Sequence, residues 1–253
     1  MNDFTPIPVG RIIEKLDSYL NINDYDAAER HLQYWLSEAD VCGDMRGKLT
    51  VLNEQIGLYR KMGKEPECLQ AISGALSLVA SMNMEQTVTY GTTLINAATG
   101  YKAFEKAEEA LPLYREAQII YEQLLEPNDA KLGALYNNMA STLAGLGIYR
   151  EAEDLYHKAI DVMKNQKYGA LEVAITCLNI ADLIASESGI EAGKEEIKTQ
   201  LLKAEKLLNT EDLPRNGYYA FVCEKCAPVF GYYGYSLIEQ ELNRRAKEIY
   251  DRT

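Results

Sequence analysis

The sequence has few of the residues on which most catalytic and metal sites are built. It contains two histidines, His31 and His157, which lie far apart along the chain. A histidine-dependent catalytic triad or a metal site with several histidines is therefore not expected. The chain also lacks the glycine-rich phosphate-binding loops and the nucleophile-elbow pattern. We therefore expect no enzyme activity, no cofactor and no metal.

The cysteines do not form a recognisable disulfide or zinc framework. There are five, an odd number, and the first residues lack the basic and apolar regions of a secretory leader. Cys223 and Cys226 form a CxxC pair, but a zinc site needs a second pair, and a redox pair normally lies beside a β-strand. A spacing of three also places both thiols on one packing face of a helix. Packing is the favoured interpretation, and redox and metal roles stay open.

Long apolar runs, proline and excess positive charge are also scarce. No stretch approaches the 18 uninterrupted apolar residues of a membrane span, so we expect a cytoplasmic protein. The seven prolines leave room for long helices. The net charge of -12 disfavours non-specific contact with nucleic acid or anionic membrane. This charge suits a basic or apolar peptide partner, or it serves solubility alone.

The sequence is instead rich in a repeated helical pattern. The stretch 135–162 holds two amphipathic helical segments that flank a break at 145–147. Apolar residues at spacings of three and four share one helix face, so the stretch predicts a helical hairpin. Four sets of equivalent positions recur at intervals of 42 residues, which indicates an array of hairpins. They are Tyr59, Tyr101 and Leu143; Cys68, Ala110 and Ala152; Ile72, Tyr114 and Tyr156; and Ala75, Ala117 and Ala159.

The best-defined hairpin resembles the tetratricopeptide repeat. Tyr136-x2-Met139-Ala140-x2-Leu143, followed by Ala152-x3-Tyr156, is similar to the family pattern W-x2-L-G-x2-Y…A-x3-F. The 42-residue interval exceeds the usual 34 of that family. The pair Asn137-Asn138 before Met139-Ala140, followed by Glu151-Ala152-Glu153 and Leu155-Tyr156, is similar to the long repeats of kinesin light chains. The resemblance implies an all-α, right-handed superhelical solenoid of about six helix-turn-helix hairpins.

We expect one solenoid over residues 1–253, with repeats at approximately 10–40, 45–81, 85–125, 129–165, 169–209 and 216–251. Residues 1–8 contain two prolines and are expected to form a loose arm. Pro112 predicts a kink, or a helix that begins after Lys106. The segment Phe230–Tyr235 is interpreted as a glycine-rich corner.

Asparagine is the most informative polar residue. Asn53, Asn137 and Asn179 occupy one position of the repeat, and Asn96 and Asn138 occupy the next. Asparagine is a poor helix former, so its recurrence within helices calls for a reason. A carboxamide offers a donor and an acceptor, as a peptide main chain requires. The resemblance implies that these residues hold a bound peptide on the concave surface. Alternatively, they bond neighbouring helices or contact water.

Three further residues complete the candidate site. Arg60 and Lys102 occupy equivalent positions in successive repeats, and Ser141 lies close to the Asn pair. Two cations in an acidic protein would suit an acidic side chain or a carboxylate, although solvated helix residues are an equal alternative. We therefore expect a non-catalytic scaffold or receptor that binds an extended peptide of a protein partner. The alternative is a stand-alone regulatory peptide receptor that acts on an effector. The sequence leaves the oligomeric state and the partner open.

Overall fold

The computed structural model describes residues 5–252, which form twelve α-helices and no strand. The all-α fold of consecutive helix hairpins is thus confirmed. The helices are α1 Val9–Asn21, α2 Tyr25–Cys42, α3 Met45–Met62, α4 Glu65–Ser81, α5 Val88–Ala103, α6 Ala107–Leu124, α7 Ala130–Gly145, α8 Tyr149–Met163, α9 Gly169–Ser188, α10 Lys194–Leu208, α11 Gly217–Tyr232 and α12 Ser236–Tyr250.

The corners of the hairpins are set by capping residues. Five helices begin with a side chain that accepts a hydrogen bond from a free N–H of the first turn, which stabilises the helix start by roughly 1 kcal/mol. These caps are Asp24, Asp44, Thr87, Asp129 and Asn216. Gly43 and Gly63 end α2 and α3 with φ of 70° and 68°, a conformation that glycine adopts without strain.

The chain divides into two compact units, one up to Leu125 and one from Glu126. In the first unit, α1 packs on α2, α2 on α3, α3 on α4 and α5, α4 on α5, and α5 on α6. In the second unit, α7 packs on α8 and α9, α8 on α9, α9 on α10 and α11, and α11 on α12. The organisation of the whole chain as one continuous array stays a prediction.

The repeated positions of the sequence form the seams between helices. Cys68, Ala110 and Ala152 are fully buried, as are the three alanines at positions 75, 117 and 159. Small side chains let two helix backbones approach, and Tyr114 and Tyr156 fill the adjoining space. Each fully buried aromatic side chain contributes roughly 2–3 kcal/mol through removal of its apolar surface from water.

Several local features differ from expectation. Residues 1–4 of the predicted arm lie outside the described residues, but Ile7 is buried and its N–H donates to the Asp44 Oδ2 atom at 3.0 Å. The prediction of a loose arm is therefore wrong at Ile7. Helix α6, by contrast, begins at Ala107, after Lys106 as one of the two alternatives predicted, and it continues through Pro112. The predicted corner at Phe230–Tyr235 is shorter than expected, because α11 extends to Tyr232.

Helix α9 is the most apolar element. Among the described residues, it alone has the length and hydropathy of a membrane span, and 61% of that window is buried inside the molecule. Its buried side chains join the core of the second unit with residues of α10 and α11. The apolar composition of α9 thus matches its central position in that unit.

Candidate binding surface on the first helices

The odd-numbered helices, here called the first helices, pack against one another within each unit. Helix α3 contacts α5 in the first unit, and α9 contacts both α7 and α11 in the second. The even-numbered second helices pack mainly on these first helices. These contacts bring polar side chains of neighbouring first helices together, and the candidate asparagines are among them.

In the first unit, Asn53 of α3 is bonded to two residues of α5. Its Nδ2 donates to the Thr93 Oγ1 atom at 3.1 Å and to the Leu49 carbonyl oxygen at 3.0 Å. Its Oδ1 accepts from Asn96 Nδ2 at 2.9 Å. Asn53 and Asn96 are half-buried, and Thr93 is fully buried. We call this arrangement the first amide bridge.

In the second unit, Asn137 of α7 makes the corresponding contacts with α9. Its Oδ1 accepts from Asn179 Nδ2 at 3.0 Å and from Thr176 Oγ1 at 3.1 Å. Thr176 is buried, and both asparagines are half-buried. This second amide bridge has the same composition as the first, because Thr93-Leu-Ile-Asn96 and Thr176-Cys-Leu-Asn179 share a Thr-x-x-Asn spacing.

The bridges show which asparagines have equivalent roles. Asn53 and Asn96 are separated by 43 residues, whereas Asn137 and Asn179 are separated by 42. Asn96 therefore has the role of Asn179, although Asn96 lies one residue beyond the position that the 42-residue interval indicates. The alternative interpretation, in which asparagines bond neighbouring helices, describes contacts that are present at both bridges, whereas peptide contact stays a prediction. The two threonines were missed, although their Thr-x-x-Asn spacing was visible in the sequence.

The bridges leave specific polar groups available. Asn53 uses both of its amide hydrogens and accepts one bond, so it has little capacity left. Among the described residues, Asn137 Nδ2 has no partner, and Asn179 keeps its Oδ1 and one N–H. Asn96 likewise keeps its Oδ1 and one N–H. Donors and acceptors therefore stand side by side on α5 and on the pair α7 and α9.

Asn138 and Ser141 differ in the hydrogen-bond partners of their side chains. The half-buried Asn138 side chain has no partner among the described residues. Ser141 hydrogen-bonds the hydroxyl of Tyr156 in the same hairpin, and burial raises the pKa of that tyrosine. Thr99 Oγ1 lies 3.0 Å from the Tyr114 hydroxyl in the preceding hairpin, so this contact recurs. Ser141 thus has a packing role within its repeat.

The two predicted cations lie at the ends of first helices in the first unit. Arg60 is exposed in the last turn of α3, and Lys102 is half-buried in the last turn of α5. Arg60 follows Asn53 by seven residues, so both lie on nearly the same side of α3. The helix C-termini favour these positive charges, which is also a structural reason for their presence.

Two carboxylates on α9 were not recognised from the sequence. Glu172 accepts a hydrogen bond from the Tyr218 hydroxyl, and Asp182 Oδ1 accepts from the Tyr233 hydroxyl at 2.8 Å. Burial raises the pKa of both carboxyl groups; Lys225 partly offsets this for Glu172, and the tyrosine hydrogen bond does so for Asp182. The first-helix face of the second unit therefore carries acidic groups beside its amide bridge.

The two thiols of the CxxC pair lie in a hydrophobic core. Cys223 and Cys226 are buried in the core of the second unit, and burial raises the pKa of the Cys226 thiol to about 12. Within residues 5–252, no group of three or more histidine, cysteine or carboxylate side chains is placed to hold a metal ion.

A chain of helix hairpins with a polar face on its first helices has the form of a helical-repeat protein. Residues 89–165 match the family model of the tetratricopeptide repeat, which confirms the predicted resemblance. The protein Kinesin Light Chain-Related 3 from Arabidopsis thaliana is 28% identical over 119 residues. That alignment covers 47% of this chain and 18% of the plant protein, so the chain spans less than a fifth of that relative.

Solved structures agree on the fold. The crystal structure of BtubC (BKLC) from P. vanneervenii has a TM-score of 0.67 at 18% identity, covering 82% of this chain and 85% of that one. A Podosopora anserina protein of the kinesin-light-chain type, with nearly identical TPR-like repeats, has a TM-score of 0.57 at 14% identity, covering 81% and 96%. Repeat scaffolds of this type generally mediate protein–protein interactions and are generally non-enzymatic.

Proposed function

We propose that this protein is a non-catalytic scaffold that binds an extended peptide segment of a protein partner along its first helices. Asn96, Asn137, Asn138 and Asn179 bind the main chain of that segment, and Asn53 positions Asn96. In this proposal Ser141, which lies one turn after Asn137 on α7, contacts the same segment. This role needs no cofactor or metal, since hydrogen bonds and charge supply the recognition.

The second amide bridge is the observation that supports the proposal most strongly. Asn179 Nδ2 donates a hydrogen bond to the Oδ1 atom of Asn137. Because this bond directs Oδ1 toward α9, the two Nδ2 hydrogens of Asn137 point away from α9. The free Oδ1 of Asn179 provides an acceptor on the neighbouring helix. An extended peptide presents a carbonyl and an N–H at each residue, so this donor and acceptor pair matches it.

The charges around the bridges determine the sequence preference in this proposal. Arg60 and Lys102 of the first unit favour an acidic side chain or a carboxylate. Glu172 and Asp182 of the second unit favour a basic side chain or a free N–H. A segment bound on the first unit is therefore expected to carry an acidic group, and a segment bound on the second unit a basic group. Such charge complementarity contributes more to specificity and association rate than to affinity.

Asn138→Ala is the sharpest test, because Asn138 has no bond whose loss would disturb the fold. Peptides would be selected on the native chain from a random displayed library, and their dissociation constants measured by fluorescence anisotropy. Loss of one hydrogen bond worth about 0.5–1.5 kcal/mol predicts affinity reduced about 2- to 12-fold. Asn137→Ala is expected to weaken binding further, with some loss of stability.

The matched control is Asn243→Ala. Asn243 is an exposed helical asparagine in α12, also without a partner among the described residues. This substitution changes helix propensity in the same way as Asn138→Ala but leaves the first helices unchanged. Equal affinities for Asn138→Ala and the native chain, with every selected peptide, would reject the assignment of the binding surface.

A further inference from the structure

A separate groove in the first unit lies between the second helices α2 and α4, with α3 as its floor. We call it the α2–α4 groove, and its cavity volume is about 590 Å³, within the roughly 300–1,000 Å³ of ligand sites. Gln55 on its floor is two residues from Asn53, which turns it by about 200° around α3. The groove therefore faces away from the asparagine surface. Its apolar lining consists of Leu36, Leu52, Ala71 and Leu78.

Gln55 provides the first sign of a ligand. Its side chain is 4% exposed, yet no hydrogen-bond partner for it exists among the described residues. Buried polar groups are nearly always paired, because an unpaired one loses its bonds to water without compensation. Within residues 5–252, the one fully enclosed side-chain oxygen or nitrogen without a partner belongs to Gln200. The Gln55 carboxamide therefore remains reachable from the groove.

Gly74 of α4 provides a second, independent sign. A glycine within a helix weakens it relative to alanine. A Cβ atom at Gly74 would meet only Leu52 methyl groups at 3.5 and 3.6 Å, an ordinary contact distance. By contrast, a Cβ atom at Gly91 would come within 2.4 Å of the Tyr121 ring. Packing thus requires glycine at position 91 but not at position 74. At position 74, the lack of a side chain keeps the groove open.

The dimensions and charges of the groove define its ligand. Residues 67–81 of α4 line its wall, and fourteen intervals of 1.5 Å give a length of about 21 Å. About six residues of extended chain span that length. Lys48 on the rim is paired with Asp40 at 2.5 Å, and the Tyr59 hydroxyl is bonded to Gln33. Glu67, the other charged residue of the lining, lies at one end of the α4 wall, so the part of the groove beyond Glu67 suits an uncharged segment.

We propose that the α2–α4 groove is a second binding site, which takes a short extended peptide segment. An apolar side chain of the segment packs on Leu36, Leu52 and Leu78, and its main-chain amide bonds the Gln55 carboxamide. This site is independent of the asparagine surface. Partner proteins can therefore contact both sides of the first unit at once.

The test uses N-acetyl-leucine N-methylamide, which carries one leucine side chain between two amides. In the isotope-labelled full chain, we expect saturable shifts of the Gln55 side-chain NH2 signals and of the Gly74 backbone amide. A capped six-residue peptide with a single leucine among serines and alanines should bind at least tenfold more tightly. Absence of saturable shifts, or equal affinity for the two probes, would overturn the proposal.

Variants separate the site from general surface effects. Gly74→Phe fills the groove and should abolish binding, whereas Gly74→Ala should bind normally and checks tolerance at that position. Gln55→Leu should reduce affinity at least fivefold while the melting temperature stays equal or rises, since an unpaired buried amide is removed. Unchanged affinity in Gln55→Leu would refute the role of the carboxamide even if Gly74→Phe failed to fold. Asn138→Ala should leave this binding unaffected, so the two sites fail or succeed separately.

Discussion

Replacement of Asn53 by alanine should destabilise the first unit through loss of its amide bridge. Two interhelix hydrogen bonds disappear, to Thr93 and to Asn96, and each is worth about 0.5–1.5 kcal/mol net. Alanine recovers up to about 0.7 kcal/mol of helix propensity. The expected net loss is about 1–2 kcal/mol. Asn96→Ala removes one bond and should cost less, about 0.5–1 kcal/mol.

The assay can be confined to the first unit. Trp35 is the one tryptophan of the chain and lies in α2, which packs on α3. Urea unfolding followed by its fluorescence therefore reports that unit. The double variant Asn53→Ala with Asn96→Ala should reveal a coupling energy of about 0.5–1.5 kcal/mol between the two amides. Additive effects within about 0.3 kcal/mol would refute the bridge as an energetic contact.

The same assay tests whether the chain unfolds as one array. Asn137→Ala with Asn179→Ala disrupts the second amide bridge, which lies outside the unit that contains Trp35. If all twelve helices form one cooperative solenoid, the Trp35 transition should move to lower urea. An unchanged Trp35 transition, with a shifted circular-dichroism transition, would contradict the predicted single array.

Three further predictions concern local physics. Burial and the nearby Asp17 raise the pKa of Glu54, so the ionised carboxylate disfavours the folded state. The substitution Glu54→Gln should therefore raise the melting temperature at neutral pH. This gain should vanish as the pH falls below the pKa of an unfolded glutamate, near 4.3. In urea titrations, Gly91→Ala should destabilise the first unit by about 1–3 kcal/mol, because the added methyl group overlaps with the Tyr121 ring. In contrast, Gly57→Ala should stabilise that unit by about 0.5–1 kcal/mol, since its methyl group meets nothing within 4 Å. Equal effects of the two variants would contradict the packing argument. In the native state, iodoacetamide should label the exposed Cys42, and the other four cysteines should react only after unfolding. Mass spectrometry identifies the labelled cysteines. Labelling of Cys226 in the native state would support a chemical role for the CxxC pair.

The fold was predictable because the small and large residues that form the contacts between helices recur at a fixed interval in the sequence. Alanine or cysteine at one repeat position and tyrosine or isoleucine at another are enough to specify a small-to-large contact between helices. The same logic failed at residues 230–232, where glycine and aromatic residues suggested a corner. Phe230 is fully buried in the core, and its packing keeps that segment helical. Tertiary burial there outweighs local propensity.

The candidate site was only partly predictable. Periodicity selected the asparagines, but it could not show that Asn96 pairs with Asn53 rather than sharing a register with Asn138. Asn96 lies one position further along α5 than the 42-residue register of Tyr59 and Tyr101 indicates, and a side chain can span such a difference. Glu172 and Gln55 were not found because neither recurs at the repeat interval. Their importance follows from burial and from the partners they have or lack, which are properties of the folded chain.

One measurement tests the central claim most directly. The side-chain NH2 signals of the asparagines would be followed by NMR while a library-selected peptide is titrated into the labelled full chain. The account predicts saturable shifts of the amides on the first helices, those of Asn96, Asn137, Asn138 and Asn179, with no change at Asn243. Peptide binding that leaves these four signals in place would contradict it.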